Sequence, residues 1–401
     1  MSYIHPLIPS SWIGHRIGLE APRFKHLGEA KIDHSRLQKD AGFELSDKGP
    51  PSPVIKRPIE RFYTPCGQSL RVVDFRTRQQ YRVMPEHRFG ALLRREFQRA
   101  RGADNPTAVA ELQNLVSIGG GGVLPSVIGD EDTRIRIEPT TVFPHSALVH
   151  LTGSVASGAL IGDNVVLTAA HCVVNGGVEQ NPGYEEIWYD NTVIPGMDRN
   201  PECAPGNADD ACKLAPFGQS GVAMAIVPEG WLTPKGGPAS GGGPAFLEHD
   251  PDDWVDDIAV MILEQSFGQQ TGTFDYRAFS ASQLENAAFL NRGYPSPFKN
   301  PKPNGYQPWQ MWGDENYCFV EGFLGEVNGI HRLFRHEADT SGGHSGSPIY
   351  QWHVSLDQGW RPQIAGVISH HAHGKNYARR VVEQDLLVDL GISIGLALTT
   401  S

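Results

Sequence analysis

No apolar run in this chain is longer than a strand. IAVMIL (258–263) is among the longest, and such runs are divided by turn residues drawn from 45 glycines and 30 prolines. That pattern disfavours long helices and favours short buried strands joined by turns. It also leaves no apolar stretch long enough to span a bilayer. TRIRI (133–137) alternates as a strand does. ALVHLTG (147–153) and ALIGDNVVLTAA (159–170) predict a hairpin that turns at Gly162-Asp163-Asn164. DDIAVMIL (256–263) predicts another buried strand, and short strands continue to about residue 370.

A length of 401 residues admits two or three compact units. Residues 1–80 read as irregular, with SDKGPPSPVIKRP (46–58) as an extended linker. Two helical patterns follow at 87–102 and 107–119, the first interleaving apolar residues with arginines. The glycines at 119–122 then mark a boundary. We expect an N-terminal prosegment or accessory region over 1–125 and a second domain over 126–401. Within the latter, residues 174–250 are polar and rich in glycine and proline, which predicts an insertion. VVEQDLLVDLGI (381–392) predicts a C-terminal helix.

Charge divides at the same place. Residues 1–125 carry 19 Lys and Arg against 12 Asp and Glu, and the remainder 15 against 33. A basic segment beside an acidic one admits two readings, an intramolecular contact between them or a solvated basic tail. The acidic part is unsuited to nucleic acid. The N-terminus lacks the basic start, apolar core and small-residue cleavage site of a secretory signal. The expectations are export by another route or from an upstream start, with an intracellular chain as the alternative.

Five cysteines are present: Cys66, Cys172, Cys203, Cys212 and Cys318. Cys203 and Cys212 bracket a short polar loop that a disulfide would staple. That pairing leaves 172–318 as the second bond, with free thiols as the alternative. No Cys-x-x-Cys pair points to zinc. His370, His371 and His373 lack a nearby carboxylate or cysteine at matching spacing, so no metal and no cofactor are expected.

Three stretches carry chemistry together. VLTAAHCV (166–173) ends a β-branched run with His171. DDIAVMIL places Asp257 at the start of a strand. DTSGGHSGSP (339–348) sets Ser345 among glycines. A serine hydroxyl needs an adjacent imidazole to take its proton. The imidazole needs a buried carboxylate to fix its tautomer and stabilise its charged form. The order His, Asp, Ser differs from that of α/β-hydrolases, whose Gly-x-Ser-x-Gly elbow fails here at Ser347.

On these motifs the chain resembles the trypsin/chymotrypsin-fold serine proteases, and more closely their bacterial glutamyl-endopeptidase branch. The resemblance runs over roughly 127–395 and includes GYP (293–295) and QMW (310–312). It implies an all-β fold of two six-stranded antiparallel barrels with a C-terminal helix. It implies His171 as base, Asp257 as its partner and Ser345 as nucleophile. The N–H groups of Gly343 and Ser345 would form the oxyanion hole. Protein or peptide substrates follow, with no membrane partner. His344 stands where trypsin-like zymogens carry the aspartate that pairs with a new N-terminus, so that switch is absent. Ala156 occupies the place of a disulfide partner for Cys172.

Substrate preference stays open between two patterns. Asp339, six residues before Ser345, favours Lys or Arg in the trypsin pattern. The glutamyl branch reads a carboxylate with a Ser or Thr and a histidine in His-x-x-Gly, which Thr340 and His371 in HAHG (371–374) match. A second register puts Ile368 in the histidine's place with Ser369 beside it. The same fold also admits a protease-like binding protein without activity, and residues 1–125 also admit a permanent interaction domain.

Overall fold

In the computed structural model the described residues are 23–33, 69–84, 132–174, 187–232, 251–297, 305–315, 317–327, 330–355, 359–372 and 375–382, together with Leu387, Val388, Gly391, Ile392, Ile394 and Gly395. The patterns at 87–102 and 107–119, the boundary at 119–122, Cys66 and His373 lie outside them.

The chain is mostly β. Its N-terminal strands are β1 (Arg23–Glu29), β2 (Ile32–Asp33), β3 (Leu70–Asp74) and β4 (Gln79–Met84). Then come β5 (Arg134–Arg136), β6 (Leu148–Leu151), β7 (Ala156–Gly162), β8 (Val165–Thr168), β9 (Trp188–Tyr189), β10 (Thr192–Pro195), β11 (Asp198–Arg199), β12 (Lys213–Leu214), β13 (Ser220–Pro228) and β14 (Ala259–Leu263). The last group is β15 (Asp275–Tyr276), β16 (Leu290–Asn291), β17 (Trp312–Asp314), β18 (Val320–Val327), β19 (Ile330–His336), β20 (Pro348–Ser355), β21 (Gly359–Ala372) and β22 (Lys375–Arg380).

The sheet path β13-β10-β6-β7-β8-β14 returns to β13, which closes a six-stranded antiparallel barrel. The sheet also continues outward from β13 through β3 and β4 to β1. The β7–β8 hairpin turns at Asp163-Asn164, as the turn residues predict. Val165, Val166 and Leu167 are wholly buried, and the β-branched pair suits a pleated, packed surface. Strands β10 and β13 fall within 174–250, so that stretch supplies barrel strands as well as loops.

The second antiparallel path runs β16-β20-β21-β22-β19-β18. Its two ends approach through Phe289 and Cys318, which exchange backbone bonds of 2.9 and 2.7 Å. The C-terminal residues Leu387, Val388, Gly391 and Ile392 are helical and buried, and Gly391 packs against Val260 of the first barrel.

Two expectations are corrected. Cys203 and Cys212 are bonded, but Cys172 and Cys318 are free and buried. They lie in different cores, Cys172 with the first barrel and Cys318 with Phe279, Phe289 and Phe334. Nor are residues 1–80 irregular throughout. Strand β3 pairs with Met224–Pro228 of β13, and Leu70, Val72 and Val73 enter the first core. Its partner is some 150 residues away in sequence, so no local pattern announces it.

Candidate active site

The register of β8 against β14 builds the first half of the site. Thr168 pairs with Ala259, so residues just after β8 lie opposite residues just before β14. His171 and Asp257 occupy those two ends. His171 Nδ1 lies 2.9 Å from Asp257 Oδ2 and 3.0 Å from Oδ1. The His171 backbone N–H donates to Oδ1 at 3.0 Å, and the Ser369 hydroxyl donates to Oδ2 at 2.5 Å. Asp257 has no exposed surface, while the His171 side chain keeps 15% of its own.

The electrostatics follow from this cage. Burial opposes ionisation of Asp257, yet the His171 ring and the Ser369 hydroxyl outweigh it and hold the carboxyl below its ordinary value. Burial likewise opposes a charged imidazole, but the Asp257 carboxylate outweighs it and raises His171 well above the usual histidine range. Trp231 and Trp254 pack on the same ring, with centroids 6.4 and 6.0 Å away. Trp254 stands three residues before Asp257, a local signal that the sequence reading did not use. Trp231 comes from a distant segment, and no local signal pointed to it.

The second half of the site is the turn before β20. The Ser345 carbonyl accepts from the Ser157 N–H at 2.9 Å, and the Ser157 hydroxyl donates to the Gly343 carbonyl at 2.7 Å. These bonds tie the Ser345 turn to the first barrel beside the end of β8. Gly346 has φ +77°, and a Cβ there would lie 2.0 Å from Thr168 Oγ1. Gly343 has φ +102°, and a Cβ there would lie 2.2 Å from the Ser296 nitrogen. Both positions therefore require glycine. Gly346 N–H donates to the Ile368 carbonyl at 2.8 Å, which sets Ser369 alongside the Ser345 turn.

Among the described residues, the N–H groups of Gly343 and Ser345 meet no acceptor, and the Ser345 hydroxyl makes no hydrogen bond.

His344 is fully buried and its Nδ1 accepts from the Ser341 N–H at 3.3 Å. Burial, and next the Arg134 guanidinium, push it down to about 3. It is neutral and offers no negative charge to a new N-terminus.

Asp339 is half-buried and already engaged. Its Oδ2 accepts from the Thr133 N–H at 2.8 Å and lies 2.7 Å from the Thr133 hydroxyl, which also lies 2.9 Å from Asp314 Oδ1. Asp314 was not singled out from the sequence. Burial, and next the Asp339 charge, raise it to about 7. Thr340 is half-buried beside them. His371 sits on β21 opposite Asn376. His370 stacks between Trp254 at 4.2 Å and Tyr377 at 4.7 Å.

A model described as Trypsin matches residues 135–194, which include His171. A glutamyl endopeptidase of Bacillus licheniformis is 26% identical over 230 residues, covering 57% of this chain and 55% of its own length. Over residues 135–194 the chain is similar to the trypsin family. It spans about half the length of that curated relative. A solved Glu endopeptidase in complex with MPD is 21% identical and covers 66% of this chain and 96% of its own, with a TM-score of 0.43. Neuropsin from mouse brain is 15% identical, covering 61% and 93%, with a TM-score of 0.36.

Proposed function

We propose that the chain is a serine endopeptidase that cleaves protein or peptide substrates through His171, Asp257 and Ser345. The observation that carries this reading is the buried Asp257 carboxylate. It holds the ring and backbone of His171 and the hydroxyl of Ser369 at once. Such a cage costs desolvation that a merely structural histidine does not need.

In this mechanism Ser345 Oγ attacks the scissile carbonyl while His171 Nε2 takes its proton. Asp257 keeps Nδ1–H in place and stabilises the imidazolium. The N–H groups of Gly343 and Ser345 bind the oxyanion. The C–N bond breaks as the imidazolium returns the proton to the leaving amine. Water, deprotonated by His171, then hydrolyses the acyl-enzyme.

For specificity we propose Glu, then Asp, before the cleaved bond. The relative's name supports it, and so does the engagement of Asp339 by Thr133, which makes Asp339 a poor receptor for a substrate cation. The Ser369–Asp257 bond supports the register with Ile368 in the family histidine's place. That register counts against His371 in the family histidine's role, so we propose His371, three residues further along β21, as a substitute donor, with Thr340 as the hydroxyl. The Cys203–Cys212 bond favours an oxidising compartment, and we place the enzyme outside the cytosol.

The test is a serine-directed phosphonylating probe followed by peptide mapping. Label on Ser345 alone, absent from Ser345→Ala, is expected. A purified chain that neither takes the label nor hydrolyses peptides is instead a protease-like binding protein.

A further inference from the structure

The N-terminal strands are built into the catalytic barrel. Strand β13 pairs with β10 only at Ser220 and Gly221, and from Met224 to Pro228 the same edge pairs with β3. Strands β4 and β1 continue outward from β3. Further backbone bonds run from Phe75 N–H to the Ala223 carbonyl at 2.9 Å and from Glu229 N–H to the Ser69 carbonyl at 2.8 Å. Strand β2 pairs in parallel with β9 at Trp188 and Tyr189. Leu70 and Val73 have no exposed surface, and Phe75 packs edge-on against Trp188.

A buried charge cluster locks the joint. Arg71 Nη2 and Arg82 Nη2 each lie 2.6 Å from Glu229 Oε1, and Arg71 Nε donates to Oε2 at 3.3 Å. All three side chains are nearly buried, at 10–13% exposure. Glu229 opens a short helix, Glu229–Leu232, whose Trp231 packs on His171 and Trp254. Trp231 Nε1–H also donates to the Val174 carbonyl at 3.3 Å, just beyond His171. A continuous path of contacts thus joins the N-terminal strands to the proposed base.

We propose that residues 23–33 and 70–84 are a permanent part of the catalytic unit: after a cut in the 119–127 stretch the N-terminal piece stays bound by strand pairing, with Glu229 as the residue that couples it to His171. A segment destined to leave would expose five residues of the β13 edge and the apolar floor under Leu70, Val72 and Val73. It would also strip Glu229 of both arginines. The opposite charges of the two parts favour retention over long range. Main-chain pairing supplies affinity, as in other strand-addition complexes.

The experiment uses the full chain with a specific protease site in place of residues 119–122, cut to completion. It is run in the Ser345→Ala background, so that retention is read without any dependence on the peptidase reading. Size exclusion with mass spectrometry at neutral pH should find both pieces in one peak at equal molar ratio. Elution of the C-terminal piece as a folded species alone overturns the proposal. Glu229→Gln in the cut chain should weaken retention at least tenfold, about 1.4 kcal/mol, in a titration of the released piece. Unchanged affinity removes Glu229 from the coupling. In the active background, kcat/KM of the cut chain should fall at least tenfold when the N-terminal piece is diluted away, and return when it is added back. Undiminished activity of the stripped piece also overturns the proposal.

Discussion

Ser369 and His171 share one carboxylate oxygen: the Ser369 hydroxyl lies 2.5 Å and His171 Nδ1 lies 2.9 Å from Asp257 Oδ2. We propose that Ser369 braces the Asp257 carboxylate rather than lining a substrate pocket. Ser369→Ala removes one charged hydrogen bond, an effect of about 1.5–3 kcal/mol. We expect kcat to fall roughly tenfold to a hundredfold with KM little changed. A large rise in KM at constant kcat would instead assign Ser369 to substrate contact.

Ser345→Ala and His171→Ala should each lower kcat by roughly 10⁵–10⁶-fold, and the double variant hardly more, because nucleophile and base act as a unit. Burst and steady-state hydrolysis of a reporter peptide measures this. Additive losses in the double variant would separate the two residues.

The pH profile carries the sign of the His171 shift. The base must be neutral to accept the Ser345 proton. Burial lowers its pKa but the Asp257 charge wins, so the ring stays protonated to higher pH than an ordinary histidine of about 6.5. Activity should rise with pH through a midpoint above that value. Asp257→Asn should move the midpoint down and lower kcat roughly 10⁴-fold. An acid limb centred below 6 in the parent chain refutes the arrangement.

The three stretches of the proposed triad stood out in the sequence because each sits at a strand end with local punctuation: VVLTAAHC, DDIAVMIL, GGHSGSP; of these the structure joins His171 to Asp257. The first barrel was legible for the same reason, its strands being apolar runs between turn residues. What failed was non-local. LRVVD becomes a strand because β13 needs a partner where β10 leaves it, and nothing near residue 70 announces that. The 172–318 pairing failed because counting cysteines says nothing of which core each enters. Asp314 went unnoticed since its character comes from Thr133 and Asp339, distant in sequence and joined by the pairing of β5 with β17.

Asp314 should make stability fall as pH rises toward neutral. Burial and then Asp339 raise its carboxyl to about 7 when folded, against about 3.9 in an unfolded chain. The folded state thus holds a proton that the unfolded state has lost. That contribution is full below about pH 4 and disappears as pH rises through 7. Asp314→Asn keeps the shape, and its amide can donate to the Thr133 hydroxyl. The variant should flatten the decline in Tm between pH 4 and 8. A slope equal to the parent's would show that Asp314 is already ionised in the fold.

Specificity separates the two patterns that the motifs left open. A substrate carboxylate loses its hydration in the pocket and must find donors there. His371 and Thr340 are the proposed donors. The net charge of the chain, −11, repels acidic peptides at long range, but that mainly alters encounter rate, while local donors decide transition-state binding. Matched reporter peptides ending in Glu, Asp, Lys, Arg or Leu before the cleaved bond test this directly. Glu should lead by at least tenfold in kcat/KM, about 1.4 kcal/mol, and His371→Ala should erase the lead without lowering turnover of the Leu peptide. If Lys or Arg leads, Asp339 exchanges its bonds to Thr133 for the substrate cation, and Asp339→Ser should then abolish that preference.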